Sequence, residues 1–364
     1  MFDGRTIVHY TVHSVEHLVW ACYRRECMVR VGIIGAGNIG RVHSRSYLQL
    51  DKARVVAVAD IDHQAADTMA AKHNARAYYD MHDLLDDKNV DAVDVCLPTY
   101  LHEAGVIAAA GAGKHILCEK PVALNVAAVE RMIAAVQRSG VKAMVAQVIR
   151  FWPHYLAIKE MLDEGKLGKP IMAFAARLGR QPTWTSWYGD PNLSGGAILD
   201  LHVHDLDWLY YLFGHPKTVY AVGVRVDSGA WNHVLTSLDY GSCRAAAEAS
   251  FLMPDGFPFT MIFRLLAERG LAEYRYGGGQ ADTQGAARLH TLGVYLSGQP
   301  AHYPPCDETD PYLAEIRYFV DCIEQGESPA IATLAEARDV LEIATAVRQS
   351  LETGHVMALG QQMH

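Results

Sequence analysis

Three groups of residues have the types and spacing to do chemistry. Gly35, Gly37 and Gly40 stand in G-x-G-x-x-G spacing inside residues 29–41, VRVGIIGAGNIGR. The first glycine permits a tight turn, and the second lets a pyrophosphate approach the backbone. The third lets a helix pack close to the preceding strand. A helix starting at Asn38 and Ile39 then turns its free amides and positive dipole end towards the phosphates. Asp60 lies 20 residues beyond Gly40 and closes the next apolar run, where a carboxylate can bond both ribose hydroxyls. This pattern reads as a dinucleotide site. Asp60 repels a 2′-phosphate, and Ile61-Asp62-His63 offers no lysine or arginine to accept one, so the expected cofactor is NAD rather than NADP.

The second group is Glu119-Lys120-Pro121, at the carboxyl end of a predicted strand. Ligands of open α/β sheets bind outside those ends, which points Lys120 towards the reactive end of the cofactor; the plain alternative is a solvated turn lysine. The third group lies in residues 195–207, GGAILDLHVHDLD. On a helix Asp200 and His204 are i,i+4 neighbours within bonding reach. A carboxylate beside an imidazole fixes its tautomer and raises its basicity, which suits a general base near neutral pH. Polar groups on a helix surface are the bland alternative. A metal site from His202 and His204 with Asp200 or Asp205 is another, but those two histidines sit roughly 200° apart on a helix.

These groups need a scaffold, and the hydrophobic pattern supplies one. The apolar run 29–34 reads as a buried strand and 39–50 as a helix. Further strands at 54–59, 76–79, 90–97, 115–118 and 141–148 alternate with helices at 64–73, 81–87, 101–112 and 125–139. Such alternation implies right-handed crossovers and a doubly wound parallel sheet. Pro153 opens a helix to about residue 164. A strand at 171–178, an aromatic-rich loop at 181–194 and a helix at 197–213 follow. Beyond Gly214 the pattern changes to strand-length segments at 218–226, 233–240, 245–252 and 259–266 without helices between them, hence a mainly antiparallel sheet. Residues 277–308 read as a long loop with one strand near 292–296, and helices at 311–325 and 334–352 close the chain. The expected division is an N-terminal extension at 1–27, a dinucleotide-binding domain at 28–148 and an α+β domain for substrate binding and oligomerisation at 149–364. Residues 1–27 read as a start assigned too early or an added helix.

Composition narrows the class. Half of the 364 residues are hydrophobic and 20% are charged, as in a soluble globular protein. A formal net charge of −9 without a basic run excludes a nucleic-acid footprint. No apolar stretch is long enough to predict a membrane span. Seven scattered cysteines without a C-x-x-C fit free thiols in a reducing cytoplasm.

Taken together, the motifs resemble the glucose–fructose oxidoreductase and inositol dehydrogenase (Gfo/Idh/MocA) family. The resemblance runs from about residue 29 to the C-terminus and rests on GAGNIG at 35–40, CLPTYLH at 96–102, EKP at 119–121 and GGAILDLHVHDLD at 195–207. It implies a Rossmann domain followed by an α+β domain with an open antiparallel sheet. By resemblance Lys120 is the active-site lysine, Pro121 follows a cis peptide bond, and His204 accepts a proton beside Asp200. Pro98, Thr99, His102 and Glu119 join the cofactor-bordering set. A histidine at position 204, where some relatives carry tyrosine, favours the inositol- and sugar-dehydrogenase side. The implied reaction moves a hydride between nicotinamide and a secondary alcohol of a sugar, polyol or cyclitol, with no metal required. Arg150, Trp152, Trp184, Trp187 and Tyr188 are candidates for the substrate wall. Glycoside-oxidising and keto-sugar-reducing activities would use the same residues. A metal-dependent hydrolase or isomerase and a non-catalytic dinucleotide-binding regulator are rivals of other classes; a regulator needs none of Lys120, Asp200 and His204. The predicted sheet has one face without helices, so a homodimer or homotetramer is expected.

Overall fold

The computed structural model describes residues 28–182, 185–278 and 289–359. The expected extension at 1–27 and Trp184 lie outside them. The N-terminal half alternates β1 (Val29–Ile34), α1 (Asn38–Tyr47), β2 (Ala53–Ala59), α2 (His63–His73), β3 (Arg76–Tyr78), α3 (Met81–Leu85), β4 (Ala92–Val95), α4 (His102–Gly111), β5 (His115–Glu119), α5 (Val126–Ser139) and β6 (Ala143–Ala146). The strands form one parallel sheet in the order β3-β2-β1-β4-β5-β6. The direction of winding reverses between β1 and β4, so a crevice opens at their carboxyl ends, where Gly35 follows β1 and Cys96 follows β4.

Local signals explain why the helices stop and start where they do. Asp62, Asp80 and Asn125 each cap a helix by accepting from its first amides, and Gly140 ends α5 in the left-handed region. The last parallel strand is shorter than the expected 141–148: after Ala146 the chain turns into a 3-10 segment, Val148–Phe151.

The second half contributes α6 (Pro153–Asp163), β7 (Pro170–Leu178), a single turn α7 (Pro191–Ser194) and α8 (Val203–Phe213). Then come β8 (Thr218–Arg225), β9 (Trp231–Asp239), β10 (Arg244–Ser250), β11 (Phe259–Ala267), β12 (Gly270–Gly278) and β13 (Leu289–Leu296). The chain closes with α9 (Pro311–Glu324), α10 (Leu334–Thr353) and β14 (Met357–Ala358). Its sheet runs β13-β12-β11-β7-β10-β9-β8-β14, antiparallel except for the β7–β10 pair. No strand is expected from the sequence over Gly270–Gly278, although Ala272 and Tyr274 turn inward with Glu273 between them and Arg275 following.

The helix-facing side of this sheet is built from small strand residues, Ala173, Ala175, Ala245 and Ala247, against large helix residues such as Tyr155, Trp208 and Val347. Small residues on the strands let the helices approach closely, and Tyr155 meets Trp208 edge-on at 5.1 Å between ring centroids. One helix departs from the two-domain division. Ile316, Phe319 and Val320 of α9 pack on Val31, Ile33 and Val55 of the parallel sheet, so a C-terminal helix completes the core of the dinucleotide-binding half.

Candidate active site

The glycine loop has the geometry its spacing predicts. Gly35 has φ +105°, and a Cβ there would lie 2.5 Å from the Cys96 carbonyl oxygen. A Cβ at Gly40 would strike the carbonyl oxygen of Gly35, so only glycine lets α1 sit this close to β1. Around Gly37 there is open space, and as N-cap it has no side chain to satisfy the first amides of α1. Uncapped amides facing open space form an anion site. Asp60 ends β2 beside it, its carboxylate accepting from the Ala36 and Asp62 backbone amides at 2.6 and 2.8 Å. Two donors leave lone pairs on both oxygens for ribose hydroxyls. Arg41, which sequence reasoning passed over, folds back on Asn38 and the Ala36 carbonyl at the same loop. A basic residue in the first turn after the third glycine was the available signal.

At the neighbouring strand end, Lys120 follows β5 and its peptide to Pro121 is cis. Its ammonium donates to the Asp200 carbonyl oxygen at 3.0 Å and to Asp200 Oδ1 at 2.9 Å, so Lys120 bridges the two halves of the molecule. Residues Ile198–His202 are wound as a π-helical turn before α8, with i→i+5 rather than i→i+4 bonding. This overturns the expected Asp200–His204 hydrogen bond. The wider turn displaces Asp200 from the i,i+4 register, and its carboxylate serves Lys120 instead. His204 remains close: burial, then the positive charges of Lys120 and Arg177, hold its pKa well below the usual 6.5. Its Nδ1 is buried without a partner, so the imidazole is neutral at neutral pH.

Tyr188 completes this corner. Burial, with Asp200 and Glu119 close by, raises its phenol pKa. Trp187 stacks on it at 4.2 Å between centroids, and Tyr100, another residue not singled out from sequence, meets Trp187 edge-on at 6.3 Å. These three rings line one side of the site.

Four assignments need correction. Arg150 is no substrate-wall residue: its guanidinium is fully buried, forked onto both Asp207 oxygens at 2.8 Å and bonded to Glu336 at 2.7 Å. The Trp152 indole is engaged by β12, donating to the Tyr274 hydroxyl at 3.1 Å and packing edge-on against Tyr276. His102 does not open towards a cofactor. Its two ring nitrogens lie 2.8 Å from the Pro121 carbonyl oxygen and 2.7 Å from that of Leu97, clasping two loops together. Glu119 is turned inward, one oxygen accepting from the Lys120 backbone amide at 2.9 Å and the other 3.1 Å from His43 Nε2. Pro98 and Thr99 do stand at the crevice, opening the 3-10 turn Thr99–Leu101 beyond β4.

The histidine-rich segment is also more structural than it reads. His202 points into the second sheet, Nε2 on Thr236 Oγ1 at 2.8 Å, and burial pushes its pKa down to about 3. Asp205 is forked onto Arg177 at 3.1 and 3.3 Å, which occupies the oxygens a metal would need. Among the described residues one His/Asp/Cys group converges closely enough to hold a metal, His43, Asp94 and Cys96; direct hydrogen bonds already close it. The five described cysteines are free, and no helix among the described residues is long and apolar enough to cross a membrane.

Comparison with known proteins bears on this geometry. Residues 29–147 match the model of an oxidoreductase family with an NAD-binding Rossmann fold, and residues 155–273 match that family's Gfo/Idh/MocA C-terminal domain. The chain belongs to the Gfo/Idh/MocA oxidoreductase family. It is similar to a myo-inositol 2-dehydrogenase of Thermotoga maritima, 36% identical over 55% of this chain and 60% of that protein. It is also similar to a trans-1,2-dihydrobenzene-1,2-diol dehydrogenase of Mus musculus, 29% identical over 89% of this chain and 97% of that one. A solved structure of a putative myo-inositol dehydrogenase from Sinorhizobium meliloti superposes with a TM-score of 0.76 at 26% identity, covering 92% of this chain and 100% of that one. The first relatives are thus matched over about 60% of their own length, whereas the Mus musculus protein and the solved structure are matched almost throughout. The NAD-binding fold of the family model occupies the crevice-forming half, where the uncapped α1 and Asp60 have the donors and acceptors a dinucleotide needs.

Proposed function

We propose that this protein is an NAD-dependent dehydrogenase of a secondary alcohol on a ring carrying neighbouring hydroxyls, a cyclitol or a sugar. The observation that carries the reading is Lys120, set at the carboxyl edge of the parallel sheet, ion-paired to Asp200 and beside a neutral, buried His204. When bound, the nicotinamide would take the hydride from the carbinol carbon or return it. The chain's residues do the rest. A substrate hydroxyl that reaches Lys120 receives an ammonium hydrogen bond, which stabilises negative charge building on that oxygen as the C–H bond breaks. His204 is the acceptor assigned to the hydroxyl proton; burial and the charges of Lys120 and Arg177 keep its ring neutral and lower its basicity, the opposite of the increase expected from a carboxylate partner. Asp200 holds the ammonium in place through two of its three N–H donors and leaves the third for a substrate oxygen. The stack of Trp187 and Tyr188 offers an apolar wall for the C–H face of a ring.

The names of the relatives support a ring substrate: inositol and a dihydrobenzene diol are both six-membered rings with hydroxyls on adjacent carbons. The histidine at position 204 supports the cyclitol and sugar side of the resemblance. NAD is proposed over NADP because Asp60 stands at the ribose position without a lysine or arginine in the next three residues. The test is a screen of cyclitols, sugars and cyclic diols with each cofactor, followed by the absorbance of reduced nicotinamide. Turnover of at least one ring alcohol, faster with NAD, is expected. Binding of NAD without turnover of any ring alcohol would leave a dinucleotide-binding regulator as the better reading.

A further inference from the structure

Directly beneath the glycine loop lies a charged cluster in a dry environment. His43, on α1, has no exposed surface, and neither do Asp94 on β4 and Glu315 on α9. His43 Nδ1 is 2.9 Å from Asp94 Oδ2, and its Nε2 is 3.1 Å from Glu119 Oε1, an ion-pair contact without hydrogen-bond alignment. Cys96 donates to Asp94 Oδ1 at 3.3 Å, and the Tyr312 ring is 5.9 Å from the imidazole. Burial is the largest influence and works against a charged His43, but Asp94 and Cys96 together outweigh it and raise the imidazole pKa well above the usual 6.5. Glu315, with neither oxygen partnered, is driven towards the protonated acid by burial.

An imidazolium between two carboxylates is a costly arrangement for a core, since an apolar cluster of the same volume would serve stability as well. What it does that an apolar cluster cannot is fix register. His43 sits in the second turn of the helix whose first amides face the dinucleotide site. Glu119 passes the constraint on, because its other oxygen accepts the backbone amide of Lys120 at 2.9 Å. Three elements, α1, β4 and β5, are therefore joined by directional contacts at the point where the cofactor loop and the lysine must keep a common height.

We propose that His43 is a positioning residue for Lys120, linking the glycine-loop helix to the lysine through Glu119. The inference rests on the reading of Lys120 as the active-site lysine, but its test does not depend on turnover alone. The measurement is the labelling rate of Lys120 by an amine-reactive acylating reagent, scored by mass spectrometry against the exposed Lys166 of the same molecule. It is made with and without NAD, beside the kcat and KM of the ring alcohol that wild type turns over best.

His43→Gln keeps a polar side chain and removes the cation. It should change relative Lys120 labelling by about threefold or more and lower kcat by about tenfold, with KM for the alcohol nearly unchanged. His43→Gln with Glu119→Gln restores a neutral amide pair and should recover much of both. Glu119→Gln alone, which keeps an acceptor for the Lys120 amide, covers the case in which the His43 variant does not fold. It should move labelling in the same way. Glu315→Gln, a neutral change at the edge of the cluster, should leave labelling as in wild type. A folded His43→Gln protein with altered melting temperature but wild-type labelling and kcat overturns the proposal, as does a Glu315→Gln variant that moves labelling equally. If wild type turns over no ring alcohol, the functional reading fails while the labelling comparison still decides the link.

Discussion

A carboxylate and an imidazole four residues apart invite one reading from sequence and receive another from the fold. Asp200 was legible as a site residue because a paired acid and base stood out in residues 195–207. Its partner was not legible, because nothing in the residue types announces a π-helical turn. The structure gives Asp200 to Lys120, 80 positions away, and the consequence is testable. Lys120→Ala and His204→Ala should each lower kcat by roughly 10²-fold or more, the scale of a positioned acid or base. Asp200→Asn should resemble a mild Lys120 defect and leave the acid limb of the pH profile, which reports His204, unmoved. An acid limb that shifts in Asp200→Asn would restore the Asp200–His204 pairing.

His202 has a different role, visible in stability and not in turnover. Its pKa falls from 6.5 to about 3 on folding, so the unfolded chain binds more protons in that interval. Stability is then complete above about pH 6.5 and is lost as pH falls towards 3, at about 1.4 kcal/mol per pH unit for one proton. Between about pH 7 and pH 5, urea denaturation of wild type should show roughly 2 kcal/mol more loss than His202→Gln. Equal losses would mean that His202 is hydrated in the native state.

Elements were read well where a short-range signal marks them and poorly where a distant partner decides. The strand, glycine turn and helix of residues 29–47 follow from local pattern, and so does the doubly wound sheet. Arg150 and Asp207 are 57 positions apart, and Arg150 and Glu336 are 186 apart; no local pattern announces that an arginine near an aromatic-rich segment is a buried tie between α8 and α10. Helix α9 is a similar case, its apolar face being legible but not which sheet it would cover. The glycine loop lets two functions of one residue type be separated. Gly40→Ala places a methyl group against the Gly35 carbonyl and should destabilise the fold, because α1 cannot withdraw without opening the core. Gly37→Ala meets no protein atom within 4 Å, so the fold should survive with a near-wild-type melting temperature. The added methyl projects into the space a pyrophosphate needs, and NAD affinity, measured by fluorescence titration, should fall by about tenfold or more. Unchanged affinity in Gly37→Ala would move the phosphate site away from the start of α1.

At the scale of the whole molecule the open sheet is the feature to explain. Helices α6, α8 and α10 cover one face, and along β8 the burial alternates so that Tyr220, Val222 and Val224 point the other way. Val222 pairs across the strands with Leu235, and Met172 with Leu266, so apolar side chains stand next to one another rather than scattered. Val224 is 50% and Met172 46% exposed in the single chain, so this face presents apolar surface to water. Polar pairs share the face, His233 with Glu248 between the two apolar spots and Glu273 with Arg264 and Arg275 beyond Leu266, in the mixed composition of interfaces that associate with defined register. Two-fold packing of this face on its own copy would bury both spots at once and close without leaving a sticky edge. We therefore expect a homodimer or a dimer of dimers, each active site lying within one chain because Lys120, Asp200 and His204 are all on the helix-covered side of the molecule's own two halves. Light scattering at micromolar concentration should give at least twice the chain mass. Val222→Lys with Leu235→Lys, placing two cations opposite their own copies, should yield a folded monomer that still binds NAD. If wild type is itself a clean monomer, the charged pairs are strong enough to keep this face in water, and the sheet is not an interface.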